Sequence, residues 1–122
     1  MTANILTVDD SASMRMTTRL ALSGAGYAVT EAVDGLDGLE KAKTHRFDAI
    51  ITDINMPRMD GLRMIEELRR LPTQLGVPIV FLTTESDADM KARAKAAGAT
   101  AWLTKPFDAA QLLKLVSKVV GK

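Results

Sequence analysis

The chain has 122 residues, 47% of them hydrophobic and 25% charged, with no cysteine. That length fits one compact domain spanning residues 1–122, and the composition excludes a disordered chain, a disulfide scaffold and a thiolate metal site. The net charge of +1 hides a division, because residues 90–122 hold seven basic groups against Asp108 alone, a balance of +6, while residues 1–89 carry −5.

The first apolar run covers residues 5–8 and follows Met1-Thr2-Ala3-Asn4, which carries no basic region or secretory apolar stretch. Further runs lie at 27–32, 49–52, 78–83 and 99–103, each far too short to span a bilayer, so a cytoplasmic protein is expected. A helix-period segment follows every run, and the short connections between them fit βα units. The second run, Tyr27-Ala28-Val29-Thr30-Glu31, alternates most clearly and reads as an edge strand. His45, the one histidine, falls at the end of the second helical pattern as a solvated cation at a helix C-terminus. The third helix shows Leu62, Ile65, Leu68 and Leu71 as an apolar stripe. The fourth, expected over residues 87–97, offers mainly Met90, Ala92, Ala94, Ala96 and Ala97 to the core. At about 25 cal/mol per Å² of buried apolar surface, so much alanine anchors a helix weakly, which makes this one a candidate moving part. The fifth sets Leu112, Leu113, Val116, Val119 and Val120 against Lys114 and Lys118 on its other side. Several strands are apolar on both faces, as a sheet covered by helices on both sides requires. The expected fold is therefore an α/β, flavodoxin-like, doubly wound parallel sheet of five strands in the order 2-1-3-4-5, with five helices.

All strand C-termini of such a sheet lie along one edge, where ligand sites form. There the sequence places Asp9-Asp10 after the first strand, Asp53 after the third, Thr83-Thr84 after the fourth and Lys105-Pro106 after the fifth. Each has an ordinary reading alone. Asp9-Asp10 ahead of Ser11 can serve a helix start, Asp53 a turn, Thr83 a strand end and Lys105 the surface. Together, three carboxylates repel, and Mg²⁺ suits them because it takes hard oxygen ligands. Three carboxylates, a divalent cation and one ammonium are formally neutral, which leaves a site able to receive a phosphoryl dianion.

The motifs V-D-D-S, I-T-D-I-N-M-P-x-M-D-G-L, A-x-G-A and K-P-F run through nearly the whole chain, together with an apolar strand ending in Thr83. In these the chain resembles the response-regulator receiver family, and within it the single-domain chemotaxis regulators most of all. The resemblance implies that Asp53 is the phosphoacceptor, taking its phosphoryl group from a histidine kinase. It implies that Asp10, Asp53 and the main-chain carbonyl of Asn55 hold Mg²⁺, that Asp9 acts on the ion through water, and that Lys105 pairs with the phosphoryl oxygens. Thr83 is then the switch hydroxyl, and Trp102 stands where the family usually has Tyr or Phe, with a ring that turns inward when the threonine moves. Asn55 and Glu85 occupy positions that set how fast the phosphoryl group is lost, and Lys105-Pro106 is expected to be a cis peptide.

The function expected is a phosphorylation-activated switch, not an enzyme beyond phosphotransfer to itself and autodephosphorylation. With no output domain in these residues, the result would be carried by binding. The basic face of the fourth helix, fifth strand and fifth helix suits an acidic partner such as a flagellar motor switch component. A phosphate sink and a kinase-regulating receiver use the same site. No helix-turn-helix accompanies the basic third, so nucleic acid is not expected, nor is membrane insertion, and a monomer is. An aspartyl phosphohydrolase would want an acid where Asn55 stands, and an FMN carrier would not place Asp9-Asp10 in its phosphate loop.

Overall fold

The computed structural model describes residues 3–53, 61–83, 88–105 and 107–120. Five parallel strands, β1 (Asn4–Val8), β2 (Ala28–Ala32), β3 (Ala49–Asp53), β4 (Ile79–Thr83) and β5 (Ala101–Thr104), form one sheet in the order β2-β1-β3-β4-β5. The helices are α1 (Ala12–Gly24), α2 (Gly35–Thr44), α3 (Gly61–Arg70), α4 (Ala88–Ala97) and α5 (Ala109–Val120), with a short 3-10 turn at Pro72–Gln74. The expected fold and strand order are those observed. The fifth strand begins two residues later than its apolar run suggested, because Thr100 is spent on β4, with its hydroxyl accepting the Ile79 N–H and its own N–H meeting the Ile79 carbonyl.

The period of two in the strands sorts the core into two clusters. Leu6, Val8, Ile50, Ile79 and Phe81 point to one face, where Ala42 of α2, Met64, Ile65 and Leu68 of α3 and Ala94 of α4 cover them. Ile5, Ala49, Ile51, Val80 and Leu82 point to the other, beneath Leu22 of α1 and Leu112 and Val116 of α5. β3 and β4 are buried at every residue, while β2 and β5 keep exposed positions, as edges do.

Two helix expectations need correction. In α4, Ala94 is the buried residue, Met90 and Ala97 are half-buried against the core, and Ala92 and Ala96 face solvent. Alanine around the whole helix gives no amphipathic signal, so the face it buries could not be read from composition. In α3 the stripe at threes omits Met64, which is fully buried, and Leu71 lies just past the helix end.

The C-terminal end of α4 is tied down. Arg69 donates from Nε and Nη2 to the Gly98 carbonyl at 2.9 and 2.7 Å, and from Nη1 to the Val77 carbonyl at 2.7 Å. Gly98 takes φ 120°, a conformation other residues rarely adopt, and a Cβ there would lie 2.6 Å from Arg69 Cγ. Burial lowers the Arg69 guanidinium pKa from its ordinary value.

Candidate functional site

The C-terminal edge of the sheet brings Asp9 after β1, Asp53 at the end of β3, Thr83 at the end of β4 and Lys105 after β5. One carboxylate oxygen each from Asp9, Asp10 and Asp53 lies within 4.8 Å of the others. Lys105 Nζ donates to Asp53 Oδ2 at 3.0 Å and stands 3.9 Å from Asp9 Oδ2. Asp9, Asp53 and Thr83 are buried, whereas Asp10 is exposed. The Lys105 N–H donates to the Thr83 carbonyl at 2.8 Å, extending the β4–β5 ladder into the site and fixing where the lysine starts.

Asp9 is held by its own turn. Its N–H donates to the Ala32 carbonyl at 3.1 Å, and its Oδ1 accepts the Ser11 N–H at 2.9 Å. Ser11 is in turn the N-cap of α1, its hydroxyl accepting the Met14 N–H at 3.3 Å. The segment serves the helix start while also holding a carboxylate at the sheet edge, because Ser11 caps the helix while its N–H orients Asp9. Arg15 donates to the Asp9 carbonyl. Asp9 Oδ2, fully enclosed, has no hydrogen-bond partner among the described residues. Burial pushes the Asp9 carboxyl above its ordinary value of 3.8; Asp53 and Asp10 add to the rise, and the Ser11 N–H and Lys105 oppose it.

These residues fit a hard divalent cation. A buried carboxylate oxygen that accepts no hydrogen bond among the described residues, beside two further carboxylates, is a donor set of the kind Mg²⁺ takes.

Trp102 stands on β5. It pairs in register with Phe81, their ring centroids 6.3 Å apart, on the sheet face covered by α3 and α4. The indole is 44% exposed, and Lys91 Nζ of α4 sits 4.8 Å from its centroid. By strand alternation Thr83 shares that face with Phe81, so the threonine, the indole and α4 form one side of the molecule. His45 follows α2 and is exposed, as expected. Asn55, Thr84, Glu85 and Pro106 lie outside the described residues. Two residues near the site were not singled out from the sequence, Arg15 and Glu31. A charged residue in a strand is a signal that could have raised Glu31, but no spacing rule connects Arg15 to a residue six positions earlier.

The family model of the response regulator receiver domain matches residues 5–117. The chain belongs to that family. This receiver is similar to the Vibrio cholerae chemotaxis protein CheY4, whose solved structure is 44% identical over 98% of this chain and 99% of that one, with a TM-score of 0.94. It is similar as well to the receiver domain of the Pseudomonas aeruginosa sensor histidine kinase PA1611, at 30% identity over the full length of both and a TM-score of 0.92. That structure has a magnesium ion coordinated in its active-site cleft. Among curated proteins, the Helicobacter pylori chemotaxis protein CheV3 is 36% identical over 97% of this chain and 41% of its own length. This receiver spans about half the length of the curated relatives it matches. Among the described residues, no helix is long and apolar enough to cross a membrane.

Proposed function

We propose that this receiver is one domain over residues 1–122, takes a phosphoryl group from a histidine kinase onto Asp53, and holds Mg²⁺ with Asp10, Asp53 and the Asn55 main-chain carbonyl, Asp9 acting on the ion through water. The observation that carries this reading is the meeting of three carboxylates within 4.8 Å, one with a buried oxygen that accepts no hydrogen bond among the described residues, beside a lysine 3.0 Å from Asp53.

A carboxylate oxygen of Asp53 attacks the phosphorus of the donor phosphohistidine. The P–N bond breaks, its electron pair goes to the imidazole nitrogen, and an acyl phosphate remains on Asp53. A bound divalent ion supplies positive charge that relieves the carboxylates and the phosphoryl oxygens. Lys105, already against Asp53, transfers its ammonium hydrogen bonds to the incoming oxygens as charge builds there. The Thr83 hydroxyl donates to the phosphoryl group, and Trp102 and α4 follow it, which shifts the population of two arrangements of one fold. Asn55 and Glu85 set how long the group survives before water removes it. The activity is confined to the receiver's own Asp53, without turnover of an external substrate.

The output surface is the basic face of α4, β5 and α5, where Lys91 stacks on the half-exposed Trp102. An acidic segment of a cytoplasmic partner suits it, and the receiver acts there as a monomer. The likeness to CheY4 and CheV3 supports a role in chemotaxis, with a flagellar motor switch component as the partner. A second reading, a phosphate sink or kinase-regulating receiver, is favoured by the full-length match to a receiver domain that belongs to a sensor histidine kinase.

The test is incubation with Mg²⁺ and acetyl phosphate, followed by intact mass. One labile phosphoryl group is expected, absent in chelator and absent in Asp53→Asn. Labelling that persists unchanged in that variant removes Asp53 from its role. Capture by an acidic motor-switch peptide with and without beryllofluoride, against capture by a kinase fragment, separates the two outputs.

A further inference from the structure

Arg15 is the fourth residue of α1, where a cation is opposed by the helix dipole. Nor is it solvated as a surface arginine would be, because its side chain is only 15% exposed. Its location has another reason. Nη1 donates to the main-chain carbonyl of Asp9, while Nε stands 3.5 Å from Glu31 Oε1 on β2. Glu31 is held from its other side, with Oε2 3.4 Å from Arg19 Nε. Its own main-chain carbonyl accepts from Lys41 of α2. Glu31 also pairs in register with Thr7, two residues before Asp9. A brace therefore runs from the edge strand through one guanidinium to the backbone of Asp9.

That backbone is consequently gripped at both polar groups, the N–H by Ala32 and the carbonyl by Arg15. With Oδ1 fixed by Ser11, Oδ2 of Asp9 is left without a hydrogen bond among the described residues. A buried carboxylate oxygen in that condition lowers its energy by rotating toward a donor or toward water, and it keeps its aim only where the main chain denies that movement. We propose that Arg15, braced by Glu31, is a positioning residue for the divalent-cation site, holding Asp9 in a conformation ready for the ion. The inference rests on the reading of the carboxylate cluster as a Mg²⁺ site. Because the guanidinium forms a fork that meets a carbonyl and a carboxylate together, lysine does not replace it.

The experiment is calorimetric titration of the full chain with MgCl₂, alongside melting in EDTA. Arg15→Met, which keeps the aliphatic stem, is expected to weaken Mg²⁺ uptake about tenfold, the size typical when a group that orients a metal ligand is lost. Arg15→Lys should lose nearly as much despite keeping the charge. Glu31→Gln should lose less, and the double variant Arg15→Met/Glu31→Gln should bind no more weakly than Arg15→Met, since both changes cut one brace. Arg19→Met, removed by one link, should bind as the wild type does. Wild-type affinity in Arg15→Lys would show charge alone to matter and would overturn the proposal, as would losses that add in the double variant. If Arg15→Met does not fold, Arg15→Lys and Glu31→Gln decide the matter. A wild-type chain that takes up no Mg²⁺ would instead overturn the function proposed above.

Discussion

Replacing Asp9 with asparagine should make this protein more stable without metal and less stable with it. In the metal-free site, Asp53 and Asp10 stand within 4.8 Å of Asp9, and at an effective dielectric of about 20 each such pair repels by about 3.5 kcal/mol. Lys105, 3.9 Å away, attracts Asp9 by about 4 kcal/mol on the same scale. Asp10 is exposed and its share is screened, so the Coulomb contributions nearly cancel. What remains is a buried carboxylate oxygen without a hydrogen bond among the described residues, a condition that costs about 1–3 kcal/mol. Asparagine keeps an oxygen for the Ser11 N–H and turns a donor toward the neighbouring carboxylates, so a gain of about 1 kcal/mol is expected. For 122 residues, at about 2.1 cal/mol/K each, that raises Tm in EDTA by about 4 °C. Magnesium at tenfold over its Kd then stabilises the wild type by about 1.4 kcal/mol, or about 5 °C, and the variant by much less, so the order of melting reverses. The pH dependence follows from the direction of the Asp9 shift. A carboxyl raised above 3.8 penalises the folded state at neutral pH, and the penalty disappears as pH falls through the raised value. The gap between variant and wild type in EDTA should therefore close on acidification, and Mg²⁺ uptake should weaken over the same range. Differential scanning fluorimetry across pH, with EDTA or MgCl₂, reads all of this. An Asp9→Asn protein that melts below wild type in EDTA at neutral pH, or a gap that widens in acid, refutes the reasoning.

Other perturbations test separate parts of the structure. Lys105→Met removes the cation 3.0 Å from Asp53, so it should tighten Mg²⁺ binding in calorimetry while slowing phosphoryl uptake from acetyl phosphate by about 10²-fold; slower uptake with weaker binding would contradict the role given to the lysine. Gly98→Ala forces a Cβ into Arg69 at φ 120° and should lower stability in urea by about 1–3 kcal/mol, whereas an unchanged midpoint would mean the α3–α4 tie yields freely. Lys91→Ala removes a cation–π contact of about 0.5–1 kcal/mol, and the fluorescence of Trp102 should shift to the red as the indole gains water. No shift would place the ring elsewhere in solution.

The fold was legible because its signals are local and repeated. Runs of four to six apolar residues separated by helical periods leave few arrangements, and β3 and β4, buried on both faces, can sit only inside a covered sheet. The carboxylates and Lys105 were legible for a related reason: strand C-termini share one edge, so residues distant in sequence are placed by topology. α4 was not legible in detail. Alanine packs or faces water with nearly equal ease, and Ala92, Ala94 and Ala96 divide between the two according to how α3 and β4 meet the helix. Arg15 and Glu31 escaped because their meeting depends on how far α1 leans over the edge strand, which neither residue's neighbours encode. The buried hydroxyl of Thr7, without a hydrogen-bond partner among the described residues, is a further feature that strand patterning gave no reason to expect.

β3 is enclosed along its whole length, and Asp53 is its last residue. The proposed phosphoacceptor thus stands at the end of a fully buried strand, an anvil flanked by β1 and β4. An anvil does not relay a blow by bending. In the function proposed above, whatever news a phosphoryl group brings would leave through lighter parts at the rim, the ammonium of Lys105, a threonine hydroxyl one strand away and a helix pinned at one end, so the message would be carried by the periphery because the centre is too well packed to carry it.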